Sequence, residues 1–173
     1  MNEILKKNGV QFGFIIGLFA ILLPIITYAS GQPLYKNGYL GASVYVVYWT
    51  IRIIQANKTK KDLGNQTVSL KDIFTTLLIS TTIGIIISTG FNYVFYNFIA
   101  TELKIDLNEF MNLKQVEIQQ VFNKGKIDKQ MIMGTDNFEI SILLRGAVFS
   151  ILFSSIFNLI LAAIFKSKTS NQL

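Results

Sequence analysis

The chain has 173 residues, 51% of them hydrophobic and 15% charged, against about 25% charged in a typical soluble domain, and its mean hydropathy is +0.45. A water-exposed domain of this size cannot hide so much apolar surface, so the chain reads as an integral membrane protein. Cysteine and histidine are both absent, which removes disulfide frameworks, Cys/His zinc sites, the common haem and iron–sulfur ligands, Ser-His-Asp and Cys-His catalysis and any histidine pH switch.

No cofactor and no metal are expected. The net charge of +6 reads as loop charge that sets membrane orientation rather than as a nucleic-acid surface, since no basic helix with interleaved aromatics occurs.

In chain order, the first apolar stretch runs from Val10 to Tyr28 without a charge. Lys6 and Lys7 with Thr27-Tyr28-Ala29 could pass for a signal peptide, but the stretch is long for an h-region and carries Pro24, so a retained first helix is expected. The second stretch, Tyr39 to Ile54, is short and works as a span if Arg52 snorkels to the headgroups. The third, Ile73 to Ile99, opens after Ser69 and Asp72, a capping-box spacing. The fourth runs from about Ile140 to Phe165 with Arg145 near its start.

Between the second and third lies a basic loop, 55–72, holding Lys58, Lys60, Lys61 and Lys71. Its Asn65-Gln66-Thr67 sequon has no meaning if the loop is cytoplasmic. Between the third and fourth lies a polar insert, 101–139, in which Asp106 with Glu109 resembles a helix start. Leu107, Phe110, Met111, Ile118, Val121 and Phe122 form one stripe interrupted by Lys114. Asn123-Lys124-Gly125 reads as a stop, and a short helix is expected over Asp128 to Met133.

With four spans, Lys and Arg concentrate on the side of the two termini and the basic loop, so both termini are expected in the cytoplasm and the insert outside. The fold class expected is all-α, a membrane bundle of four transmembrane helices with an extracytoplasmic helical insert.

Three helices carry small or polar residues four apart: Gly9, Gly13 and Gly17; Thr76, Ser80, Gly84, Ser88 and Asn92; and Gly146, Ser150, Ser154, Asn158 and Ala162. Such stripes let backbones approach closely, within one chain or between copies, and also admit a reading as a hydroxyl- and amide-lined path for a polar solute. Asn92 and Asn158 are the intramembrane polar candidates. Arg145 is either a boundary residue, paired with Glu139 or Asp136, or an anion-attracting group at an outer vestibule. No Asp, Glu or Lys lies deep in the first three helices, which argues against ion-coupled transport. Walker A, G-x-G-x-x-G, G-x-S-x-G and S-x-x-K motifs are absent, so no catalytic residue is assigned.

Several local patterns carry a family likeness. They are the Gly9, Gly13 and Gly17 region, Gly38-Tyr39-Leu40-Gly41 opening the second helix, and Ile51-Arg52 leading into the basic loop. Val68-Ser69-Leu70-Lys71-Asp72-Ile73-Phe74 and Gly146 through Lys166 complete the set. Over nearly its whole length the chain resembles the small four-span membrane proteins of Bacteroidota grouped as domain-of-unknown-function family 4199, departing from them in Arg145 and in fewer alanines and acids in the insert. The resemblance implies a bacterial inner-membrane location and no activity.

The function expected is that of a non-enzymatic accessory, interaction or self-associating membrane subunit. Its partners would be the lipid bilayer and a second copy or another membrane protein. The alternative is a passive channel or small-solute transporter using the Ser, Thr and Asn faces.

Overall fold

The computed structural model describes residues 2–64, 67–122 and 129–167. Asn65, Gln66, the 123–125 stop and Asp128 lie outside the described residues. Within them the chain is all-helical: α1 Glu3–Ser30, α2 Gly38–Asp62, α3 Leu70–Val94, α4 Thr101–Phe122, α5 Lys129–Met133 and α6 Ile140–Phe165.

Among the described residues three segments are long and apolar enough to cross a membrane: Glu3–Ser30, Leu70–Ile99 and Ile140–Phe165. At 25 residues α2 has the length, but its last two turns are polar and basic, and this sets it apart from the other three. It runs two turns beyond the expected end at Ile54, so the first eight residues of the anticipated loop 55–72 are helix.

Local chemistry fixes the helix ends. Asn2 caps α1 through its side chain, and Gly31 closes it at φ 63°, a left-handed conformation that glycine adopts without strain. Asn37 Oδ1 accepts from the backbone N–H groups of Tyr39 and Leu40 at the start of α2. Ser69 and Asp72 form the reciprocal capping box at the start of α3.

The far end of α3 was not anticipated. Phe95–Ile99 form a π turn in which the Ala100 N–H donates to the Phe95 carbonyl at 2.7 Å. The chain then enters α4 at Thr101, so Asp106 and Glu109 lie inside that helix rather than at its start.

The registers give the bundle its directions. Gly9 meets Ile79, Gly13 meets Ile83 and Gly17 meets Ile87, so α1 and α3 run parallel. Arg52 meets Thr81 and Gln55 meets Ser80, so α2 runs antiparallel to α3. Asn158 on α6 also meets Thr81, and Val68 bonds Ser167, so α6 is antiparallel to α3 as well. Helix α3 is therefore the central element.

Each end of the bundle has an apolar cluster. Leu5, Ala56, Leu63, Val68, Ile73, Leu77, Leu161 and Ala162 close the end that holds the termini. Phe95, Tyr96, Ala100 and Phe138 close the other, beside the insert.

Candidate functional site

A cβ built on Gly9, Gly13 or Gly17 would lie 2.7–2.8 Å from a side-chain carbon of Ile79, Ile83 or Ile87, and one on Gly84 would lie 2.7 Å from Ile16. These four glycines are thus the contact itself: each isoleucine fills the space an absent side chain leaves, and the stripe on α1 is spent inside the chain. On α6 the N-terminal part of the stripe is different. Nothing lies within 4 Å of a Cβ at Gly146, and Ser150 is exposed.

The polar residues of α3 are also spent internally. Ser80 donates to Gln55 Oε1 at 2.8 Å, and Gln55 Nε2 donates to the Thr76 carbonyl at 3.0 Å. The Thr76 hydroxyl bonds back to the Asp72 carbonyl at 3.1 Å, and Ser88 bonds to that of Ile85 at 3.1 Å. Ser80, Thr81, Gln55 and Thr59 are fully buried. Asn92 stands apart from Asn158, with its Oδ1 buried and unpartnered among the described residues.

Arg52 is the principal correction. It does not snorkel: it is 0% exposed. The reason is the extra length of α2, which places Arg52 ten residues before the helix end at Asp62, about 15 Å in at 1.5 Å per residue. The guanidinium donates through Nη1 to Asn158 Oδ1 and through Nη2 to the Thr81 hydroxyl. Asn158 Nδ2 donates to the same hydroxyl at 3.1 Å. On another side the guanidinium lies 4.7 Å from the ring centre of Tyr48 and 5.7 Å from that of Trp49, within reach of a cation–π attraction. Its Nε has no hydrogen-bond partner among the described residues. Arg145, singled out in the sequence, is instead exposed, and the Asp136 carboxylate that was a candidate partner is held by Lys104 at 2.6 Å.

On the insert side of this layer is a cleft between α2 and α6, floored by α1 and α3. It has a volume of about 410 Å³ and is walled by Tyr45, Tyr48, Trp49, Phe149, Phe153 and Phe157, with the Ser150 and Ser154 hydroxyls. Tyr45, Phe149 and Phe153 are more than half exposed, so they form its open side. The cleft exists because only the terminal half of α2, at Arg52, Gln55, Ala56 and Thr59, is buried against its neighbours.

A second polar network ties down the insert. Lys104 bridges Asn97 Oδ1 at 2.8 Å and Asp136 at 2.6 Å. Asn108 and Asn112 on α4 bond Asp136, Asn137 and the carbonyls of Met133 and Thr135. Burial pushes the Asp136 carboxyl up, but Lys104, the Phe138 N–H and Asn108 outweigh it and hold the group below its ordinary value. Beside the network α4 carries a bare stripe: Met111, Ile118, Val121 and Phe122 are exposed. A shallow groove of about 340 Å³ runs there between Phe110, Met111, Lys114, Gln115, Ile118 and Asn137.

Sequence reasoning missed Arg52 because its partners are non-local. The missed signal was Gln55, Ala56 and Thr59, three, four and seven residues after it, a helical spacing with no breaker between. No curated protein and no solved structure matches the chain. The family model described as "Protein of unknown function (DUF4199)" matches residues 11–167, and the chain belongs to that family.

Proposed function

We propose that this is a non-enzymatic four-span protein of the bacterial inner membrane, with both termini cytoplasmic, acting as an accessory subunit that meets a partner protein through its outer insert. Support for four spans comes from α2, which runs antiparallel alongside α3 and supplies a residue to the layer shared with α6. Retention of α1 is favoured by its interlock with α3. The charge distribution favours the orientation.

The observation that carries the interaction reading is the bare face of α4. Ile118, Val121 and Phe122 are 58%, 78% and 79% exposed on a helix whose adjoining face is held by Asn108 and Asn112. The helix bears Glu102, Asp106, Glu109 and Glu117 against Lys104 and Lys114. That balance suits a protein contact better than an anionic lipid surface, which selects Lys and Arg on the polar face. Self-association through the α1 stripe loses its basis, because that stripe is occupied by α3. The passive-channel alternative is weakened on α3, where the hydroxyls of Thr76, Ser80, Thr81 and Ser88 are bonded internally.

The test is site-specific photocross-linking in intact membranes, with the probe at Ile118, at Phe122 and at Glu109 on the opposite side of α4. A discrete adduct with another protein from Ile118 and Phe122, and none from Glu109, is expected. Adducts of twice the chain's own mass would replace the partner by a second copy. The absence of a discrete adduct from any position would sink the reading.

A further inference from the structure

The Arg52 layer and the cleft are in register on three helices at once. Tyr48 lies one turn outward of Arg52 on α2, Ile85 one turn outward of Thr81 on α3, and Ser154 one turn outward of Asn158 on α6; all three outward residues line the cleft. The bottom of the cleft therefore rests on the layer that holds the guanidinium.

A guanidinium stays protonated in proteins. Here its partners are neutral, and no carboxylate lies within ion-pair distance of it among the described residues. The acid at the end of the same helix, Asp62, is taken by Lys58 at 3.2 Å and by Asn8 at 2.9 Å. A buried, uncompensated positive charge in low-dielectric surroundings draws an anion far more strongly than the same charge in water. The cleft above it is apolar and aromatic apart from its hydroxyls, open on one side, and within the range of about 300–1,000 Å³ typical of ligand sites.

We propose that the cleft binds a long-chain carboxylate, with its alkyl chain along the aromatic walls and its anionic head at the Ser154 end, against the Arg52 layer. The single charge of Arg52 matches a monoanion. The volume holds one alkyl chain, not the two of a membrane phospholipid. The inference uses residues remote from the outer insert and stands independently of the partner reading.

The only tryptophan in the chain is Trp49, and it lines the cleft. Quenching of its fluorescence by a bromine-labelled chain therefore reports occupancy directly. Purified full-length protein in zwitterionic nanodiscs would be titrated in alkaline buffer with brominated palmitate, its methyl ester and a brominated-chain phosphatidylglycerol, each expressed as a mole fraction of lipid.

Saturable quenching by the acid is expected, at about tenfold lower mole fraction than by the ester. Arg52→Gln should abolish the difference between acid and ester. Should that variant fail to fold, Ser154→Phe fills the cleft without touching the guanidinium, and about a tenfold loss for the acid is expected. Equal quenching by acid and ester in the unaltered protein would overturn the proposal. Phosphatidylglycerol quenching as strongly as the acid would also overturn it, by making the cleft a general boundary-lipid groove.

Discussion

Arg52 and Asn158, 106 positions apart, share a hydrogen bond in the interior of the bundle and so clasp α2 to α6. Thr81 of α3 bonds both of them. A cation held this way depends on each neutral partner, because no carboxylate among the described residues shares the load.

Asn158→Leu is accordingly expected to lower the unfolding free energy by about 3 kcal/mol, the low end of the cost of stripping a buried charge of a partner. Asn158→Asp, which supplies a counter-charge at nearly the same size, should cost clearly less. Denaturation by SDS in mixed micelles, followed through Trp49, measures both. A Leu variant as stable as the unaltered chain would refute the dependence.

The glycine contact predicts a position-specific steric effect. Gly13→Leu must push Ile83 aside and should destabilise by about 1–3 kcal/mol. Gly146→Leu, facing open space, should leave folding within about 0.5 kcal/mol. Adding Ile83→Ala to Gly13→Leu should recover part of the loss, since the two side chains occupy one volume. The same unfolding assay reads all three.

Orientation is open to labelling, because the chain has no cysteine of its own. The insert site must be chosen with care. Asn112 is 2% exposed and engaged with Met133, Thr135 and Asn137, whereas Gln120 is exposed. A cysteine at Gln120 should react with an impermeant thiol reagent in intact spheroplasts, and one at Lys58 only after lysis. The reverse pattern would invert the topology.

Acid should loosen the insert. Asp136 titrates below its ordinary value of 3.8 in the folded protein. Its contribution is therefore complete above that value and is lost as pH falls through the lower folded value. Amide exchange over Asn108 and Asn112 should speed up below about pH 3.8 and be insensitive to pH from there to neutrality, once corrected for intrinsic rates. Asp136→Asn should remove the acid-dependent step and raise exchange at every pH.

What the sequence revealed was local. The Ser69–Asp72 cap is a four-residue signal, and its hydrogen bonds form as the spacing implies. The α1 glycines announce a close approach, though not which helix makes it. Two features were hidden for physical reasons. Arg52 follows an apolar run and so looks like its end, yet its burial depends on residues 29 and 106 positions away. The π turn before α4 has no residue signature, so Asp106 and Glu109 offered a cap that the helix, already under way from Thr101, does not use.

The elbow at Ala100 has a mechanical consequence. Its φ of −108° and ψ of 50° make it the one non-helical residue between the π turn and α4. Asn97, on the near side, bonds the Phe138 carbonyl at 3.0 Å and receives Lys104 from the far side. The joint is thereby braced on both flanks. Helix α3, which touches α1, α2 and α6, and helix α4 are thereby joined as the two arms of one braced bend. A tilt of α3 caused by anything wedged beside it would swing the tip at Phe122 through a larger arc, with no intervening loop to absorb the motion.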